Sequence, residues 1–124
     1  MYEVVVEDQF SAAHALKLYD GSYEPRHGHD WKVEVVARSE KLDSIGVVVD
    51  FEQLKPALKK VLSEISFISL NEHAAFKEGK LNPSTENIAR LIYDRLSASV
   101  QGGQARIVRV TVCETPDACA SYCP

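Results

Sequence analysis

The sequence has little of what marks membrane, secreted or nucleic-acid-binding proteins. No apolar run approaches the roughly 20 residues that a membrane-spanning helix needs. The N-terminus has no basic region followed by an apolar stretch, so we expect no signal peptide and a cytoplasmic location. Lysine and arginine do not cluster, and the net charge is −4. The chain therefore offers no electrostatic footprint for a nucleic acid, and we expect neither a membrane nor a nucleic acid as its partner.

Cysteine is also scarce. The three cysteines, Cys113, Cys119 and Cys123, all lie near the C-terminal end. An odd number in a cytoplasmic chain favours reduced thiols over a disulfide framework. The three also lack the C-x-x-C spacing that is typical of thiolate zinc sites. We therefore expect inert or partly buried thiols.

What the chain does have is alternation of apolar and polar residues. A period of two predicts strands over residues 2–13, 29–40 and 105–114, and a short fourth strand at 118–122. The 124 residues, of which 45% are hydrophobic and 26% charged, suffice for one soluble domain with a modest core. We therefore expect a single domain over residues 1–124.

Two helical apolar stripes separate the second and third strands. Asp50 is a good N-cap for the first helix, although Pro56 predicts a late start near Leu54 or a kink. Asn82 or Ser84 caps the second helix. The resulting order predicts an α+β fold, a four-stranded antiparallel sheet with both helices on one face.

Three of the four histidines lie at the ends of predicted strands. His14 closes the first strand, and His27 and His29 begin the second, where the period of two puts both on one face. Three neutral imidazoles around an open position are the usual form of a catalytic zinc site. The pattern predicts bound Zn²⁺ here, although the spacing also allows iron, nickel or cobalt.

Two glutamates are candidates for other roles in such a site. Glu24 precedes His27 by three residues in a loop. A loop glutamate is usually just solvated, but beside a metal it becomes a candidate general acid or base. Glu114 ends an otherwise apolar alternation. It either faces water or, if buried, is paired and able to bind an array of N–H donors such as a guanidine-like ring edge.

Five segments together resemble the 6-pyruvoyltetrahydropterin synthase and 6-carboxytetrahydropterin synthase family, and the match covers essentially the whole chain. They are Phe10-Ser11-Ala12-Ala13-His14, His27-Gly28-His29, Val49-Asp50-Phe51, Asn82-Pro83-Ser84-Thr85-Glu86-Asn87 and Val112-Cys113-Glu114-Thr115. The resemblance implies the tunnelling fold, in which protomers join their sheets into a barrel, typically as a hexamer of two trimers. It also implies active sites between protomers and a substrate of the 7,8-dihydroneopterin triphosphate type. The three clustered histidines are then the zinc ligands, and Glu114 holds the pyrimidine edge of the pterin.

The loop before the His-Gly-His segment departs from the family pattern. The family's catalytic cysteine usually lies there, but residues 21–26 contain none and instead give Glu-x-x-His-Gly-His with Glu24. This resembles a branch in which glutamate replaces the cysteine. That branch is implied to be a lyase that cleaves the substrate side chain to 6-hydroxymethyl-7,8-dihydropterin for folate synthesis. Glu24 would take a proton while the bond between the first and second side-chain carbons breaks.

A second departure concerns the Asp-His pair that follows the first helix in the family. One alignment puts Ser66 and Phe67 at the pair, which is then lost, and another puts Glu72 and His73 there. His73 is otherwise an ordinary connector residue, and it is the remaining candidate proton carrier among the histidines. Two rival functions stay open. One is a 6-carboxytetrahydropterin or 6-pyruvoyltetrahydropterin synthase, and the other is a metal-bearing, pterin-binding homologue without turnover.

Overall fold

The computed structural model describes residues 1–100 and 103–124. It has four strands and two α-helices in the predicted order: β1 (Tyr2–His14), β2 (His27–Ser39), α1 (Phe51–Ser63), α2 (Thr85–Ser99), β3 (Arg106–Thr115) and β4 (Ala118–Tyr122). Two single 3-10 turns, Leu70–Glu72 and Lys77–Gly79, lie between the helices. The predicted α+β class is confirmed. Gln101 and Gly102, which precede β3, lie outside the described residues.

The four strands form one antiparallel sheet in chain order, β1-β2-β3-β4. The pairing of β1 with β2 runs without a break from Tyr2 opposite Ser39 to His14 opposite His27. Even-numbered residues of β1 therefore face the same side as odd-numbered residues of β2, since paired residues share a face and side chains alternate along each strand. Both helices lie between β2 and β3 in chain order, although these two strands are neighbours in the sheet.

The core lies between the sheet and the apolar sides of both helices. Trp31, Val33 and Val35 of β2 are fully buried and belong to the same cluster as Leu54 of α1 and Ile92 of α2. The prediction that both helices cover one face is confirmed. In the described ranges, no helix has the length and apolar character needed to cross a membrane.

The structure confirms the expected helix caps, and only the start of the first helix differs from the alternatives considered. Helix α1 begins at Phe51 rather than near Leu54, and the Asp50 carboxylate accepts from the Glu52 N–H at 2.9 Å. Pro56 lies within the helix, where it costs one backbone hydrogen bond without delaying the start. Helix α2 is capped by Ser84, whose hydroxyl accepts from the Asn87 N–H at 3.2 Å.

The expectation of three reduced thiols is wrong for two of them. Cys113 and Cys119 form a disulfide, and Cys123 is free and exposed. The cause is the β3–β4 hairpin, which brings Cys113 directly opposite Cys119. The two cysteines are six positions apart in the sequence, and this spacing alone does not predict that they pair across two strands.

Protein purified without reductant is therefore expected to contain one titratable thiol per chain, that of Cys123. The measurement is a thiol titration of the unfolded, unreduced protein. Reduction before the titration should raise the count to three. Three thiols without reduction would contradict the pairing of Cys113 with Cys119.

Trp31 joins the core to the histidines. Its side chain is buried, its indole N–H donates to the Ala12 carbonyl at 3.1 Å, and its ring stacks on Phe10 with centroids 5.9 Å apart. We expect Trp31→Ala to lower the free energy of unfolding of the metal-free protein by about 3–5 kcal/mol, because a large buried ring is removed. Urea titration measures this. Tyr19→Ala, at an exposed aromatic, should change the same quantity by no more than about 0.5 kcal/mol.

Candidate metal centre

The β1–β2 register brings the three predicted histidines together. His14 lies directly opposite His27, and His29 lies opposite Ala12 on the same ladder. The Nε2 atoms of His14 and His27 are 3.0 Å apart. One ligand atom from each histidine and one from Glu114 all lie within 4.8 Å of one another. The strand ends thus concentrate three imidazoles and a carboxylate at one point of the sheet.

Hydrogen bonds made by Nδ1 of His14 and of His27 determine that Nε2 of each ring faces the cluster. His14 Nδ1 lies 2.8 Å from the Pro83 carbonyl oxygen, and His27 Nδ1 lies 2.9 Å from that of Pro25. Because a carbonyl only accepts, each Nδ1 carries the proton and donates. Each Nε2 then directs a lone pair toward the other ligand atoms, as metal-bound histidines do.

Burial favours the metal-binding form of His29. His14 is buried, and His27 and His29 are partly buried. Burial lowers the pKa of His29; Glu114 opposes this, and the nearby His27 and His14 reinforce it. A lowered pKa favours the neutral imidazole, which is the ligand form.

The residues fit a divalent ion. His29 Nε2 is buried and is left without a hydrogen bond, although Glu114 Oε1 lies only 3.1 Å away. Two Nε2 lone pairs only 3.0 Å apart repel unless a cation or a proton lies between them. Ligand atoms in tetrahedral zinc sites, at about 2.0–2.1 Å from the ion, lie about 3.3 Å from each other. The spacing and the unpaired nitrogen both match such an ion.

The loop between β1 and β2 carries Glu24 to the edge of this cluster. The Glu24 backbone N–H donates to the Leu16 carbonyl at 3.0 Å, and the Leu16 N–H donates to Glu24 Oε1, also at 3.0 Å. The same carboxylate oxygen lies 3.8 Å from His27 Nε2. The Glu24 carboxylate is therefore held beside the histidines by the loop's own backbone.

Glu114 lies inside the cluster rather than in solvent. Its Oε1 atom is 3.0 Å from His14 Nε2 and 3.1 Å from His29 Nε2. The pairing expected for a partly buried carboxylate is thus observed. Sequence reasoning treated Glu114 as a ligand for substrate and did not consider it for the metal. The available signal was its parity with Val110 and Val112, since β3 neighbours β2.

Phe67 and His73 occupy different surroundings. Phe67 is exposed, has a φ of +59°, and lines an open cavity of about 530 Å³ together with His29 and Arg26. His73 lies in the connector, where its Nδ1 accepts from the Ala75 N–H at 3.1 Å and its ring lies beside Phe76. His73 is not part of the histidine cluster within the described residues.

Two asparagines position the chain around His14, and sequence reasoning missed this role. Asn71 both accepts from the Ala15 N–H and donates to the Ala15 carbonyl, each at 2.8 Å. Asn82 makes the same pair of bonds to Lys17, at 2.8 and 3.0 Å. The sequence indicates Asn82 only as a candidate helix cap and as part of a segment that resembles the family. These amides act as short substitutes for a neighbouring strand, which no local sequence pattern indicates.

Residues 3–124 match the family model described as 6-pyruvoyl tetrahydropterin synthase. The chain belongs to the 6-pyruvoyl tetrahydropterin synthase family. It is similar to the dihydroneopterin monophosphate aldolase of Pyrococcus furiosus, with 34% identity over 99 residues that cover 80% of this chain and 78% of the relative. It is also similar to the 6-carboxy-5,6,7,8-tetrahydropterin synthase of Bacillus subtilis, with 32% identity over 127 residues that cover 98% of this chain and 83% of the relative.

The solved 6-pyruvoyl tetrahydropterin synthase of Caenorhabditis elegans has the same fold. The two structures share 26% identity and a TM-score of 0.81, with 100% of this chain and 97% of the other covered. The family resemblance and the fold expected from the sequence are both confirmed. Members of the 6-pyruvoyl tetrahydropterin synthase family are lyases that act on small pterin substrates.

Proposed function

We propose that this protein is a zinc-dependent lyase that cleaves the side chain of 7,8-dihydroneopterin, free or as a phosphate ester, to give 6-hydroxymethyl-7,8-dihydropterin. The observation that carries the proposal is the position of Glu24. Its carboxylate lies 3.8 Å from His27 Nε2, at a cluster whose adjoining loop contains no cysteine. The relative named as a dihydroneopterin monophosphate aldolase supports a phosphate ester as substrate.

The chemistry requires one group that accepts a proton and then returns it. His14, His27 and His29 would hold the zinc, which supplies a Lewis acid that makes a hydroxyl more acidic. Glu24 takes the proton from the hydroxyl on the second side-chain carbon. The bond between the first and second carbons then breaks, its electron pair passes into the C=N bond of the dihydropterin ring, and an aldehyde leaves. Protonated Glu24 returns its proton to the first carbon, which restores the ring and completes the hydroxymethyl group.

The hydrogen bond from the Leu16 N–H orients Glu24 for this exchange. That bond at 3.0 Å fixes the position of Oε1, and the carboxylate keeps further acceptor positions for the substrate's proton. Fixing a general base in this way avoids an entropic cost when the substrate binds. We assign no proton transfer to His73, because its Nδ1 is engaged by the Ala75 N–H within the connector.

The second candidate function is that of a 6-carboxytetrahydropterin synthase. The Bacillus subtilis relative, which covers 98% of this chain, favours it. Two features oppose it. The loop has no cysteine nucleophile, and the cavity beside His29 is lined by Phe67, which has no proton to transfer. This position of Phe67 supports the alignment in which the Asp-His pair of the family is replaced by Ser66 and Phe67.

The experiment is to incubate zinc-loaded protein separately with dihydroneopterin triphosphate, monophosphate and the free alcohol, and to identify products by mass. Hydroxymethyldihydropterin from any of the three supports the lyase. Carboxytetrahydropterin with acetaldehyde, or pyruvoyltetrahydropterin, assigns the protein to the synthases instead. Tight binding without product identifies a pterin-binding homologue that lacks turnover.

We also propose that the protein assembles as a hexamer of two trimers. The sheet ends in two edges, and β4 has no strand on its outer side among the described residues. Exposed edges of this kind pair readily with a strand of another chain. Light scattering coupled to size-exclusion chromatography measures the mass, and a monomer at all concentrations would contradict the assembly.

A further inference from the structure

The sequence predicts three histidine ligands and an open coordination position, but the Glu114 carboxylate lies beside the three histidines. Glu114 Oε1 lies 3.0 Å from His14 Nε2, 3.1 Å from His29 Nε2 and 3.9 Å from His27 Nε2. By comparison, Glu24 comes within 4.0 Å of His27 alone, considering residues 1–100 and 103–124. Glu114 therefore faces the point on which the histidines converge, whereas Glu24 lies to one side of it.

A β-bulge directs the Glu114 side chain to this point. Strand β3 pairs Cys113 with Cys119 and Thr115 with Ala118 of β4, which leaves Glu114 without a partner at the register shift. On the β2 side of β3, the pairing ends at Cys113, so Glu114 has no partner on β2 either. Bulges redirect side chains in this way and are common beside active sites. The backbone thus positions Glu114 independently of any contact that its carboxylate makes.

The four candidate atoms also have the chemistry of one zinc site, and all lie within 4.8 Å of one another. Three neutral imidazoles and one carboxylate oxygen are all standard zinc ligands. A carboxylate would also offset part of the ion's charge in a partly buried position, where an uncompensated charge is costly. The separations of 3.0 and 3.1 Å between Glu114 and two of the histidines are close to those of tetrahedral ligands, about 3.3 Å.

We propose that Glu114 is the fourth protein ligand of the metal in the substrate-free protein, so that substrate must displace its carboxylate to reach the ion. The displacement step rests on the proposed function, whereas the ligand assignment concerns the metal alone. A displaced carboxylate is free to accept from N–H donors. Glu114 can therefore close the metal site before the pterin arrives and hold the pterin afterwards.

The test measures metal binding in the absence of substrate. Glu114→Ala is expected to weaken zinc binding by about tenfold or more, because even residues behind the ligands contribute this much in zinc proteins. In cobalt-loaded protein, the visible absorption of the four-ligand site should change in the same variant. The matched control is Glu24→Ala, which removes an equal charge from the same site and should leave both the affinity and the spectrum close to those of the parent.

Two results would overturn the ligand assignment. One is a Glu114→Ala protein with parental zinc affinity and cobalt spectrum, and the other is an equal loss of affinity in Glu24→Ala, which would show an effect of charge alone. Glu114→Gln serves where the alanine variant fails to fold, as judged by circular dichroism of the metal-free protein.

Addition of dihydroneopterin to the cobalt-loaded parent should shift its spectrum, and an unchanged spectrum with pterin bound would contradict the displacement. A protein that uses Glu114 as a ligand but forms no hydroxymethyldihydropterin would overturn the proposed function and leave the assignment intact.

Discussion

Replacement of Glu24 by glutamine is expected to lower the rate of hydroxymethyldihydropterin formation by about 10²–10⁴-fold, the usual contribution of a general acid or base. Glutamine keeps a carbonyl oxygen that can accept from the Leu16 N–H, so the loop stays in place. It cannot accept and return a proton, so the exchange between the hydroxyl and the first side-chain carbon is lost. Product is measured by mass spectrometry under saturating substrate.

The zinc content of Glu24→Gln distinguishes loss of chemistry from loss of the metal. Because Glu24 lies 3.8 Å from His27 and is held by the loop, the variant should bind as much zinc as the parent. A matched control is Glu78→Gln, which makes the same change at an exposed residue and should leave the rate unchanged. Parental activity in Glu24→Gln would remove Glu24 from the mechanism.

The residues that converge by strand parity could be predicted from the sequence, and those that depend on register could not. His27 and His29 share a face because they are two residues apart, and His14 closes a strand of the same alternation. That His14 pairs directly with His27 depends on the unbroken β1–β2 ladder. The alternation predicts two strands, but not how they align with each other.

Glu114 and the disulfide depend on how β3 pairs with β4. Both lie at the β3–β4 hairpin, where Cys113 meets Cys119 and the next residue is displaced by a bulge. Neither the bulge nor the cross-strand pair has a signature in spacing along the chain. The hydrogen bonds from the Asn71 and Asn82 side chains to the backbone after His14 are likewise long-range contacts, between residues 56 and 65 positions apart. The fold and the histidines therefore followed from local pattern, while the fine geometry of the site followed from tertiary pairing.

Removal of His27 should abolish metal binding. In His27→Ala the cluster loses the imidazole whose Nε2 lies 3.0 Å from that of His14, and the remaining ligands no longer enclose an ion. We expect the zinc content after dialysis against buffer without metal to fall from about one ion per chain to nearly none, with loss of turnover, because only two of the three imidazole ligands remain. Elemental analysis measures the metal.

The chain supplies a matched control for this result in its fourth histidine. His73 lies outside the cluster and contacts Ala75 and Phe76, so His73→Ala makes the same chemical change without touching a ligand. Its zinc content should equal that of the parent. Because His27 Nδ1 donates to the Pro25 carbonyl, a second variant, His27→Gln, tests whether a side chain that can still bond to the loop restores the metal, and we expect that it does not. Parental zinc content in His27→Ala would show that the ion binds elsewhere, and the assignment of His14, His27 and His29 as metal ligands would then be wrong.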